Sequence, residues 1–235
     1  MKITKEVKET LKTTDGHSYK FNIDISREGI DRKNQMIKVL KKINCENIIH
    51  IGCCGHLNNI QRQLDNGTWF HDMLCDNFDN VIGTDINKEA IDFLINKGKK
   101  RVYARDAISD SVKLIEELER KKISGETAII LPEVLEHIDN PINFLKNLKE
   151  RYPNNYIIIT VPNAFGTWVM KGTVIHNYEL INSDHKYWFT PYTLIKNMAE
   201  AGIDVTDLMF CDWSIITKLL KKPILSNTLL ALGKM

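Results

Sequence analysis

The chain has 235 residues, 43% of them hydrophobic and 26% charged, an ordinary globular composition with enough apolar content for one well-buried core. Its formal net charge of +2 excludes a strong field for nucleic acid or an anionic membrane. Five cysteines with no C-x-x-C argue against a disulfide scaffold and for a reduced, cytoplasmic setting. The charged Met1-Lys-Ile-Thr-Lys-Glu start is no signal peptide, and no apolar run is long enough to cross a bilayer.

In chain order, residues 1–28 alternate loosely around the turn signal Thr14-Asp15-Gly16 and read as a small hairpin or arm. Residues 29–235 read as one domain. Ile30, Met36, Ile37, Leu40 and Ile43 fall at helical spacing, giving an amphipathic helix over 29–44. The β-branched run at 47–52 is the first core strand, stopped by Gly52 with Gly55 close behind. Residues 56–79 are polar and read as an irregular insertion over the site. A second strand, 81–86, ends in Asp85, and Asn87 caps the helix that follows. A third strand over 101–107 ends in Asp106, followed by a helix from Ser109 to about Lys122. Strand four spans 127–133. Pro141 opens the next helix, and strand five spans 156–161. Residues 164–188, rich in aromatics and histidine, form a long connection of lid type. Pro191 opens a last large helix closed by Gly202, and two further strands fall at 204–211 and 227–233. Lys218, Lys221 and Lys222 beside Leu219 and Leu220 read as a surface helix, in preference to a membrane contact.

The alternation of strands and helices predicts an α/β fold: a mostly parallel sheet with helices on both faces. Ligands of such sheets bind beyond the carboxyl ends of the strands. Gly52, Asp85 and Asp106 share that edge. A glycine turn lets backbone approach a ligand, and a carboxylate after the second strand can accept both ribose hydroxyls. The interval from Gly52 to Asp85 exceeds the usual value of about 20 residues, and the 56–79 segment takes up the excess.

Four blocks carry a resemblance to the class I S-adenosylmethionine-dependent methyltransferases from about residue 30 onward. Ile48-Ile-His-Ile-Gly-Cys-Cys-Gly-His56 is similar to the family's first motif. Val81-Ile-Gly-Thr-Asp85-Ile86 is similar to the second, where the acid holds the ribose. Ala104-Arg-Asp106-Ala107 is similar to the third, which faces the adenine. Leu131-Pro-Glu-Val-Leu-Glu-His137-Ile is similar to the fourth. The resemblance implies a Rossmann-like seven-stranded sheet, mostly parallel with an antiparallel C-terminal strand. It also implies S-adenosylmethionine as cofactor, held by Gly52, Cys53, Gly55, Asp85, Ile86, Asp106, Ala107 and Glu133. The first motif departs from the family: His50 stands where an acid is usual, and Cys54 and His56 where glycines are usual.

Methyl transfer to a hydroxyl needs an aligned nucleophile and a place for its proton. His137 or His185 suits that proton, because histidine titrates near neutral pH. A second arrangement has Glu133, Glu136, His137 and His185 around a divalent metal such as magnesium or manganese. It resembles small-RNA ribose 2′-O-methyltransferases, which carry a later histidine in a context like Asp184-His185-Lys186. The lid block, with Pro162-Asn163 and 184–191, is most similar to methyltransferases of surface-sugar and secondary pathways. The expected function is therefore O-methylation of a small metabolite or glycan hydroxyl. Metal-assisted RNA ribose methylation and a non-catalytic nucleoside-binding scaffold are the alternatives, and the weak charge with no basic stripe counts against nucleic acid.

Overall fold

The computed structural model describes residues 1–13, 21–22, 31–55 and 57–235. The expected turn at Thr14-Asp15-Gly16, Gly29-Ile30 and His56 lie outside the described residues. Seven strands form one sheet: β1 (Cys45–Ile51), β2 (Asn80–Asp85), β3 (Val102–Ala104), β4 (Glu126–Pro132), β5 (Tyr156–Pro162), β6 (Asp204–Cys211) and β7 (Thr228–Lys234). Their spatial order is β3-β2-β1-β4-β5-β7-β6. β1 through β5 pair in parallel, while β7 runs antiparallel to both β5 and β6.

The apolar runs explain the layers. Successive residues of a strand point to opposite faces. Ile49, Ile129, Leu131, Ile157 and Ile159 share one face with Leu114, Leu118, Leu145, Leu148, Leu194 and Met198. Those partners come from α6 (Ser111–Glu119), α7 (Pro141–Arg151) and α9 (Pro191–Glu200). Ile48, Ala128, Ile130 and Ile158 turn the other way, onto Met36, Val39 and Leu40 of α2 (Arg32–Lys42) and Phe70 and Leu74 of α4 (Phe70–Cys75). The central strands are thus buried on both faces, which is why they read as unbroken β-branched runs. Among the described residues the remaining α-helices are α1 (Lys5–Lys12), α3 (Leu57–Asp65), α5 (Lys88–Asn96), α8 (Thr167–Met170) and α10 (Ile215–Leu220).

Three expectations need correction. The N-terminal segment is not a hairpin strand over residues 5–12: it is α1, capped by the Thr4 hydroxyl, with Leu11 buried. Residues 1–3 do behave as an arm, since Ile3 N–H donates to the Thr206 carbonyl and Leu208 N–H to the Met1 carbonyl on the β6 edge. The 56–79 segment is not irregular: it carries α3 and α4, because Ile60, Trp69, Phe70 and Leu74 are all buried. The third strand is shorter than expected and ends before Asp106.

Candidate functional site

The site begins where β1 stops. Gly52 has φ +71°, and a Cβ there would lie 2.5 Å from Val134 Cγ2. The amides of Gly52 and Cys53 both donate to the Thr84 carbonyl at 2.9 and 3.2 Å. The turn then swings so that Cys54 N–H donates to Asp85 Oδ2 at 3.1 Å, while Asp85 Oδ1 accepts from Asn87 N–H at 2.9 Å. Gly55, at φ +64°, has open space where a side chain would be. The result is a backbone cradle beside a carboxylate, with the Ile86 side chain exposed next to it.

Helices α3 and α4 wall the cradle. The indole N–H of Trp69 donates to the Cys53 carbonyl at 2.9 Å. His71, buried behind it, lies with Nδ1 3.2 Å from His50 Nδ1. Burial pushes the His50 imidazolium well down and the His71 imidazolium down to about 4, with Lys99 and Arg101 adding to the His71 shift. Two neutral rings sharing one N–H···N contact therefore stand where the family's acid is usual. Sequence spacing carries no signal for Trp69 or His71, because the segment around them reads as a loop.

Glu133 follows β4 with φ +56°, a conformation that costs a non-glycine residue roughly 1–3 kcal/mol. The turn continues as a 3₁₀ segment, Leu135–His137. It is pinned to the lid, for Lys186 N–H donates to the Glu136 carbonyl at 2.8 Å. Ligand atoms of Glu136, His137 and His185 consequently lie within 4.8 Å of one another, and the two imidazoles meet edge-on at 4.7 Å. His137 Nδ1 is 3.3 Å from Asp184 Oδ2. Glu136 is fully buried, and neither carboxyl oxygen has a hydrogen-bond partner among the described residues. Burial, with the Glu133 charge second, raises its carboxyl to about 9. Glu133 itself stands outside this trio: its Oε2 faces the Arg32 guanidinium at 3.9 Å.

Arg32 is a site residue that the sequence patterns do not single out. It bonds Asp212 Oδ2 at 3.1 Å, and the Glu133 charge raises its already high pKa, with Asp212 adding to the effect. The cleft it closes has a volume of about 340 Å³ and is lined by Gly52, Cys53, Gly55, Glu133, Glu136 and His185 among others. A second cavity of about 360 Å³ shares Arg32, Glu133 and Pro162 with it and opens under Trp168, Leu180 and Trp188. Asp85, Ile86, Asp106 and Ala107 do not line the first cleft. Asp85 adjoins it through Cys54. Asp106 is drawn into a local turn, its Oδ1 accepting from Ile108 and Ser109 N–H at 3.0 and 2.8 Å. Ala107 is buried, its carbonyl bonded by Tyr152 OH.

A family profile described as a methyltransferase domain matches residues 16–208. No curated protein matches the sequence. Among solved structures, a SAM-dependent methyltransferase from Archaeoglobus fulgidus superposes with a TM-score of 0.51 at 19% identity, over 86% of this chain and 94% of that one. The small RNA methyltransferase HEN1 gives 0.54 at 13% identity, over 90% of this chain but 27% of that one. The plantazolicin methyltransferase BamL, solved with S-adenosylhomocysteine (SAH), gives 0.50 at 10% identity, over 86% and 82%. These likenesses show the sheet order and its helical layers. With the profile covering most of the sequence, the chain belongs to the methyltransferase-domain family and is a class I S-adenosylmethionine-dependent methyltransferase.

Proposed function

We propose that the enzyme methylates a hydroxyl of a small metabolite or glycan unit, with Glu136, His137 and His185 as the group that handles that hydroxyl. One observation carries the reading: a fully buried carboxyl, with both oxygens unpartnered among the described residues, stands within ligand distance of two imidazoles at the cofactor edge. A buried carboxyl left unbonded is costly, so a resident without a task is a poor account of it. One oxygen donor and two imidazole nitrogens also fit a divalent cation such as manganese or magnesium. A bound cation would supply Lewis acidity to the acceptor oxygen, and bound S-adenosylmethionine supplies an activated methyl group.

The remaining work falls to the chain. The Gly52–Gly55 backbone and Asp85 hold the nucleoside end of the cofactor. Arg32 and Glu133, shared by both cavities, fix the wall between donor and acceptor. His137 or His185 receives the hydroxyl proton, the role that remains to them if no cation binds. An RNA ribose hydroxyl is a second acceptor that the same trio fits, and the weak net charge of +2 counts against it.

Calorimetric titration with SAH, with and without manganese, tests this. Micromolar binding of SAH is expected under both conditions, with a separate manganese signal that disappears in His185→Ala while SAH affinity holds. No manganese signal would remove the cation and leave the imidazoles as bases. No SAH binding would reject the site altogether. Asp85→Ala is expected to lower SAH affinity about 10- to 100-fold, the worth of hydrogen bonds to a charged group, and to lower the melting temperature while the chain still folds, because the Cys54 and Asn87 amides lose their acceptor. Equal affinity would remove Asp85 from the cofactor site.

A further inference from the structure

Helix α10 is folded inside out. Its one buried residue is Thr217, whose hydroxyl donates to the Leu225 carbonyl at 2.9 Å. Its large aliphatics face solvent: Ile215 is 77% exposed, Leu219 76%, Leu220 56% and Ile216 50%. Single exposed aliphatics need no explanation, but four on a six-residue helix form a patch of the kind that marks an interaction site. Lys218, Lys221 and Lys222 are exposed around it. Lys221 caps the helix in a left-handed conformation at φ 49°.

The lid also leaves apolar side chains uncovered: Trp168, Val174, Ile175 and Leu180 are largely exposed. The two regions are tied through the segment that follows α10. Asn227 Oδ1 accepts from the Thr167 hydroxyl and the Trp168 amide at 2.9 and 3.3 Å, and the Asn163 side-chain amide donates to the Ile224 and Ser226 carbonyls. Trp168 and Leu180 also rim the second cavity, and the lid part of the exposed apolar surface therefore reaches that cavity through them.

We propose that this face docks on an anionic lipid bilayer, with α10 and the lid lying in the headgroup layer; this reverses the preference for a plain surface helix drawn from the sequence, because the four aliphatics are exposed and the attraction is local to the three lysines and not owed to the net charge of +2. Aliphatic side chains and lysines on one short amphipathic surface match the two components of such an interface, an apolar layer under negative headgroups. A protein partner or a second copy would account for the aliphatics, but the three lysines around them favour a surface that is uniformly negative. Docking there brings the second cavity to the membrane surface, so the acceptor is the polar head of a bilayer-borne amphiphile. That last clause rests on the acceptor reading above, whereas the docking itself does not.

The test is cosedimentation of the full chain with vesicles of phosphatidylcholine alone and with phosphatidylglycerol admixed, scored without catalysis. Binding to the anionic vesicles alone is expected, weakening as salt rises. Ile215→Ser/Leu219→Ser and, separately, Lys218→Glu/Lys221→Glu are each expected to weaken it at least about tenfold, since interfacial binding draws on both buried apolar area and attraction to anionic lipid. SAH titration of each variant confirms its fold and keeps a failed fold apart from a failed interface. Absence of vesicle binding in the native chain overturns the proposal. So does equal binding to both vesicle types, or a native dimer that the serine variant splits into monomers without any vesicle binding.

Discussion

Replacing Glu136 by glutamine is expected to cut turnover at least about 100-fold, the usual scale for a lost proton-handling or ligating group, while raising stability at alkaline pH. The stability half follows from the direction of the pKa shift. Burial raises the Glu136 carboxyl from 4.5 to about 9. Between those values the folded state holds a proton that the unfolded state has lost, so stability is fully present below about pH 4.5 and drains away as pH rises toward 9. Glutamine has no proton to lose and ends that slope. At pH 8 the variant should gain roughly 2–4 kcal/mol over the native chain, at 1.36 kcal/mol per unit with a discount for relaxation. Melting temperatures of both proteins from about pH 5 to pH 9, with chelator present, check this. Parallel curves would show that Glu136 does not titrate in this range, and full turnover in the variant would take it out of the chemistry. A group that burdens the resting fold and serves the reaction is the pattern expected of a site and not of a core.

Gly52→Ala is the second large effect, and Gly55→Ala is its control. Both glycines have positive φ, at +71° and +64°, so an alanine costs backbone strain at either, roughly 1–2 kcal/mol. Of the two, Gly52 adds a collision, with Val134 Cγ2 at 2.5 Å; at Gly55 no atom of the described residues beyond its chain neighbours lies within 4 Å. Val134 cannot retreat freely, because it bridges the strained Glu133 and the buried Leu135. The expected loss for Gly52→Ala is about 3 kcal/mol in stability and more than tenfold in SAH affinity, as the Cys54 amide is pushed off Asp85. In stability Gly55→Ala should lose only the strain, while its Cβ enters the cleft and lowers SAH affinity on its own account. Denaturant unfolding and calorimetry on the pair measure both. Equal losses of stability would show that conformation, and not the contact with Val134, demands the glycine.

The strands were legible because the central ones are buried on both faces, so runs such as Ile157-Ile-Ile carry no polar residue to obscure them. The site edge was legible for the same reason: a run that stops at glycine or at a carboxylate marks where the sheet ends. Helix α4 was hidden because Gly67-Thr68 reads as a turn and its core residues are largely aromatic. Helix α1 was hidden because it fully buries one residue, Leu11, with Val7 only partly covered against the core. Spacing misled on Glu133. Its place three residues before Glu136 and four before His137 suggests convergence, but the left-handed backbone at Glu133 turns it toward Arg32. Arg32 itself could not be found, since its partner Asp212 lies 180 residues away and no local pattern announces such a pair.

Strand β7 has a consequence for how the chain assembles. It is the last of the seven to be synthesised, yet it lies between β5 and β6. Until it emerges, β5 presents an open edge from Tyr156 to Pro162 and β6 has no strand that joins it to the sheet among the described residues, only the arm of residues 1–3 on its outer edge. The parallel half can collapse early around β1 and β4, whereas the antiparallel half waits on a single late insertion. During that interval the nascent chain carries an uncovered row of amides and carbonyls flanked by isoleucines, the kind of edge that other chains can pair with. Misassembly of this enzyme should therefore begin at β5.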